Sequence, residues 1–138
     1  MIGILLVTHG NLGEALLAGA AHVLGGMQPN AAAMAILPGD SVNGRLAEAR
    51  NIVKTIDDGA GVLVLTDIFG ATPANITGCL LDSARVEGIA GVSLPMLVKA
   101  LAYRQLPLAE LVAKAMEAGT QGHIRIKEDC CHAAEGTG

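Results

Sequence analysis

The chain has 138 residues, 51% of them hydrophobic, and a formal net charge of −4 from nine Lys and Arg against thirteen Asp and Glu. Length and apolarity suit one domain whose core needs no disulfide. The scattered cations, together with one Phe, one Tyr and no Trp, offer neither a phosphate-neutralising patch nor a base-stacking platform, which excludes nucleic-acid binding. No run reaches the ~20 apolar residues of a membrane span. The first residues lack the basic region and cleavage site of a signal peptide, so a cytoplasmic protein is expected.

In chain order, Ile2–Thr8 is a continuous apolar run, the mark of a strand buried on both faces. Asn11 and Glu14 then read as a capping box for a helix burying Leu16, Leu17, Ala20, Val23 and Leu24 and stopping at Gly25-Gly26. Ala32–Leu37 is a second strand, Pro38-Gly39-Asp40 a loop, and a helix from Ser41 carries one stripe of Val42, Leu46, Ala49, Val53 and Ile56. Val62–Thr66 is the third strand. Thr72 as cap and Pro73 at the first helical position open a helix to about Ser83 that buries Ile76, Cys79 and Leu80. Val86–Val92 is the fourth strand. Pro95 opens a helix to about Tyr103, and Pro107 another to about Ala118. His123–Lys127 alternates Ile124 and Ile126 with polar residues, as an edge strand does. The domain is expected over residues 1–127. Residues 128–138 carry no pattern and are expected to be a disordered tail. Within that tail Cys130, Cys131 and His132 are three soft ligands in a row, but no second cluster completes a tetrahedral site. No metal or cofactor is expected.

Alternating apolar strands and helices predict an α/β fold: a doubly wound, mainly parallel sheet in the order 2-1-3-4, with helices on both faces. Such sheets bind ligands beyond the carboxyl ends of the strands, where the strand order reverses. His9 directly follows strand one and Asp67 directly follows strand three, and the order 2-1-3-4 makes these strands neighbours. A carboxylate bonded to one ring nitrogen fixes the tautomer and leaves the other nitrogen as nucleophile or base. Gly70, Ala71 and Thr72, at the start of the third helix, and Gly10, before the first, give backbone that can approach an anion at helix N-termini. Thr72 adds a hydroxyl. Neither a nucleotide-binding glycine motif nor a serine elbow occurs. His22 falls within a helix, and His123 on the presumed edge strand has no evident partner.

These residues carry a family resemblance. Ile2–Gly10, Leu37–Asp40, the run Leu65–Asn75 and Gly91–Leu97 resemble, in order and spacing, the mannose-family IIA (EIIA) proteins of the bacterial phosphoenolpyruvate:sugar phosphotransferase system, the PTS. The resemblance extends over about residues 1–127. It implies a phosphotransferase in which His9 is phosphorylated on Nε2, Asp67 orients it and Thr72 contacts the phosphoryl group. It implies phospho-HPr as donor and a separate IIB protein as acceptor in sugar uptake, with the membrane reached only through a transporter complex. It also implies a homodimer whose last strand, here His123–Lys127, joins the partner's sheet as an antiparallel edge. A regulatory module switched by phosphorylation, without a transport role, stays open beside it. The related phosphocarrier subunit of dihydroxyacetone kinase and a hydrolase using His9 as base are weaker alternatives. Ile68 and Phe69, if exposed, are candidates for partner contact.

Overall fold

The computed structural model describes residues 1–128. Four parallel strands, β1 (Gly3–His9), β2 (Ala31–Ile36), β3 (Val62–Thr66) and β4 (Val86–Ala90), form one sheet in the order β2-β1-β3-β4. Five helices cover it: α1 (Leu12–Leu24), α2 (Val42–Ile56), α3 (Thr72–Leu80), α4 (Leu94–Ala102) and α5 (Leu108–Gln121). The central strands β1 and β3 are buried along almost their whole length, which is why both read as unbroken apolar runs.

The sheet separates two aliphatic layers. Ile4, Leu6, Leu63 and Leu65 point towards α1, α4 and α5, where Leu97 and Leu111 are fully buried. Leu5, Val7, Val62 and Val64 point the other way, towards Ala49 and Ile56 of α2 and Ile76 of α3. Successive strand residues thus serve opposite layers. Each fully buried Leu, Ile or Val contributes roughly 1.5–3 kcal/mol, so the sheet centre is the rigid part on which loops can be held. No helix among the described residues is long and apolar enough to cross a membrane.

Several local expectations are corrected. Asn11 is the N-cap of α1 but its side chain makes no capping bond. The bond comes instead from Thr8 of β1, whose Oγ1 accepts the Gly13 N–H at 2.8 Å. Gly13 lets α1 lie that close, since a Cβ there would sit 3.2 Å from Leu6, Thr8 and Ala33. Val23 is 58% exposed; it lies roughly 80° round the helix from the Gly13–Leu17–Ala20–Leu24 stripe. Cys79 is exposed, because α3 buries Pro73, Ile76, Thr77 and Leu80 and Cys79 falls beside that stripe. Helix α3 ends at Leu80 rather than near Ser83, as Leu81 turns extended and Asp82 pairs with Val86 in a tight turn that feeds β4. At its start the chain is extended through Ala71, so Ala71 is the N-cap, Thr72 the first helical residue and Pro73 the second, and no side chain caps the helix.

Residues 123–127, expected as an edge strand, pair with no strand among the described residues. Ile124 and Ile126 are 80% and 84% exposed. A half-apolar strand needs a neighbouring edge, and among the described residues this segment lies against neither β2 nor β4 as a paired strand. Of the tail, residues 129–138, with Cys130, Cys131 and His132, lie outside the described residues.

Candidate functional site

Strand β1 ends at His9 and its neighbour β3 ends at Thr66, so His9 and Asp67 emerge side by side at the carboxyl end of the sheet. The strand order reverses here, since β1 lies between β2 and β3. Asp67 Oδ2 accepts two hydrogen bonds from one residue: the backbone N–H of His9 at 3.0 Å and ring Nδ1 at 2.9 Å. The other carboxylate oxygen accepts the Ile68 N–H at 3.1 Å and faces the Thr66 hydroxyl at 3.4 Å. Burial raises the Asp67 pKa, but the His9 backbone and ring bonds outweigh it, and the carboxyl is held below its usual range. Asp67 is therefore ionised at neutral pH and can only accept. Nδ1 must carry a proton, so in the neutral ring the lone pair lies on Nε2.

The ring is reachable. The His9 side chain is 52% exposed whereas that of Asp67 is 13% exposed. His9 opens into a cleft of about 530 Å³, lined also by Gly10, Thr72 and the stretch from Ile36 to Asp40. Leu37-Pro38-Gly39-Asp40 is a tight turn closed by the Asp40 N–H on the Leu37 carbonyl at 3.0 Å. Proline follows its first residue and Gly39 has φ 89°, the type II pattern. The Gly10 N–H donates to the Ile36 carbonyl at 2.9 Å and ties this turn to the residue after His9.

The structure brings His9, Asp67 and Thr72 to one place and divides the backbone positions expected to cradle an anion. Gly10 lines the cleft, but its N–H is already committed to Ile36. At α1 the Gly13 N–H is committed to Thr8. The start of α3 is the open one. No side chain caps it, and the Thr72 hydroxyl makes no hydrogen bond among the described residues. Gly70 and Ala71 lead into that start from outside the cleft lining, Gly70 at φ 88°. Ile68 and Phe69, on the same loop, are 57% and 85% exposed. Leu12 and Leu37 add exposed apolar surface near the site at 43% and 55%.

Sequence reasoning missed two residues beside the site. Thr8 gave no signal because its capping role crosses from a strand to the next helix. Arg45 gave none because, like Arg50 and Lys54 of the same amphipathic helix, it reads as solvated surface. A second groove, of about 550 Å³, lies between α1 and β2, and is lined by five alanines together with Glu14, Leu17, Met27 and Gln28. No group of metal-ligating side chains is gathered among the described residues.

Residues 3–116 match the family described as EIIA-man, PTS system fructose IIA component. The chain is 36% identical over 129 residues to a PTS system mannose-specific EIIAB component of Escherichia coli K12, covering 91% of this chain and 40% of that protein. It is 30% identical over 114 residues to a PTS system fructose-specific EIIA component of Bacillus subtilis, covering 81% of this chain and 77% of that one. Among solved structures, the mannose/sorbose-specific IIA subunit of the phosphotransferase system from Enterococcus faecalis superposes with a TM-score of 0.80 at 26% identity, over 91% of this chain and 95% of that one. Phosphotransferase system component EIIA from Streptococcus agalactiae gives 0.79 at 27% identity, over 91% and 97%. The present chain thus spans 40% of the length of the EIIAB relative and nearly all of the separate IIA subunits. With the parallel sheet, the reversal point and these matches in agreement, the chain belongs to the EIIA-man family of PTS IIA components.

Proposed function

We propose that this protein is a histidine phosphocarrier: His9 takes a phosphoryl group from phospho-HPr and passes it to a IIB protein or to a regulatory partner. EIIA components are phosphotransferases in general, and they work with HPr and IIB partners. The observation that carries the reading for this chain is the pair of hydrogen bonds, from the His9 backbone N–H and ring Nδ1, to one oxygen of Asp67, which leaves Nε2 as the free nucleophile. In the step proposed, the Nε2 lone pair attacks phosphorus in line, the N–P bond of the donor breaks, and the donor imidazole keeps that electron pair. One N–P bond replaces another and the proton stays on His9 Nδ1, hydrogen-bonded to Asp67, so the exchange is close to isoenergetic. What the site must supply is alignment and stabilisation of the phosphoryl oxygens. Thr72, with the open backbone of Gly70 and Ala71 at the start of α3, serves that end, while Gly10 gives room rather than a donor.

Docking would be brief and over a small surface, because the group must leave again. The exposed Ile68 and Phe69 suit it. The same reading places the domain over residues 1–127, working in the cytoplasm as a homodimer. The test is labelling by phosphoenolpyruvate, enzyme I and HPr. Acid-labile, base-stable label on the wild type and none on His9→Ala is expected. An unlabelled wild type with a working HPr would sink the proposal. A chase of the labelled protein with a IIB protein then identifies the acceptor.

A further inference from the structure

Arg45 takes no part in the step above and does not line the cleft. It is nonetheless fixed from three sides. Its guanidinium meets Glu48 at 2.9 Å, donates to the Ala35 carbonyl at 3.1 Å and donates to Asp40 Oδ2 at 2.6 Å. Its side chain is 22% exposed, that of Asp40 24%. The same Asp40 oxygen accepts the Leu37 N–H at 2.8 Å. Arg45 therefore holds the Leu37–Asp40 turn from behind, and through Ile36 and Gly10 that turn is hydrogen-bonded to the residue beside His9.

Charge gives this arrangement a second meaning. The Leu37 N–H, and after it Arg45, hold the Asp40 carboxyl below its ordinary range, so Asp40 is a carboxylate at neutral pH. It lines the same cleft as His9. A phosphoryl group brings about two further negative charges. A cleft of about 530 Å³ is roughly 10 Å across, comparable to the Debye length, so the two anions sense each other. No Lys or Arg lines the cleft to offset them.

We propose that Arg45 is a positioning residue for phosphoryl transfer, which fixes the Leu37–Asp40 wall of the His9 cleft and, shared with Glu48, offsets part of the Asp40 charge so that phosphorylated His9 is tolerated. This rests on the reading of His9 as the phosphoryl acceptor. It predicts an effect on the phosphorylation equilibrium, which a merely structural ion pair would not move.

The experiment equilibrates the folded protein with phospho-HPr and measures the ratio of phosphorylated to free His9, with KM for phospho-HPr and kcat determined separately. Arg45→Met is expected to lower that ratio about tenfold and to raise KM more than it lowers kcat. The double variant Arg45→Met/Asp40→Asn is expected to return to within about threefold of wild type, because the asparagine oxygen still accepts the Leu37 N–H without the charge. Asp40→Asn alone gives a second arm that keeps Arg45 intact, and is expected to raise the ratio about threefold. An unchanged ratio in Arg45→Met, a double variant no better than the single, or a lowered ratio in Asp40→Asn overturns the proposal while wild type still labels at His9. A wild type that does not label at all removes the phosphocarrier reading and this inference with it.

Discussion

At the scale of single residues, Asp67 decides what His9 can do. One of its oxygens bonds both the backbone and the ring of the same histidine, so ring orientation and tautomer are set together. Asp67→Asn is expected to leave the fold intact and slow transfer roughly 10²-fold, since an amide presents a donor to Nδ1 as readily as an acceptor. Single-turnover labelling against circular dichroism checks this; an unchanged rate would remove Asp67 from the mechanism. The depressed carboxyl also fixes a pH dependence. A folded-state pKa below the unfolded value of ~4 stabilises the fold at every pH above that value and loses the contribution as pH falls through the folded pKa. The Tm difference between wild type and Asp67→Asn should therefore hold across neutral pH and shrink only below about pH 4. His9 and Asp67 were legible because each directly follows an apolar strand. Arg45 was not, because its meaning lies in the Asp40 turn and the Ala35 carbonyl, a geometry that spacing along α2 does not encode.

At the scale of elements, the start of α1 is secured from outside the helix. The Thr8 hydroxyl is fully buried at the end of β1 and accepts the Gly13 N–H. The residue that precedes His9 thus fixes the helix that follows it. Thr8→Val keeps the shape and removes the acceptor, leaving a buried N–H without its partner. A loss of about 1 kcal/mol, and up to ~2, is expected in urea unfolding; no change would mean that Asn11 or water substitutes. Helix identity was readable from apolar periodicity, and both ends of α1 and the start of α2 came out within a residue. The capping box was not what caps α1, because the Thr8 side chain of the preceding strand, five residues earlier, accepts the Gly13 N–H instead. Val23 and Cys79 were misplaced for a related reason: small residues such as Gly13 and Ala20 let α1 pack through a narrow stripe, and a broad apolar face in the sequence overstates what is covered.

For the molecule as a whole, the parallel sheet covered by helices followed from alternating apolar strands and helices, and the order 2-1-3-4 expected of an open doubly wound sheet is the one observed. What lies beyond one chain did not follow. Ile124 and Ile126 remain exposed on a segment without a strand partner among the described residues. If that segment completes a neighbour's sheet, as the homodimer reading holds, Ile124→Asp with Ile126→Asp should convert a dimer into a monomer in sedimentation equilibrium, since charges replace the buried face of the strand. A wild type that sediments as a monomer would withdraw the dimer. The interior also has a consequence for spectroscopy. Its largest fully buried side chains are all Ile, Leu and Val, the chain has no Trp, and its two aromatic rings, Phe69 and Tyr103, sit at the surface at 85% and 40% exposure. Near-ultraviolet dichroism of this protein therefore watches its periphery and is blind to the melting of its core. By the same token Phe69→Trp would install the molecule's sole indole on the loop that carries Asp67, and its emission would follow the arrival and departure of a partner against a dark background.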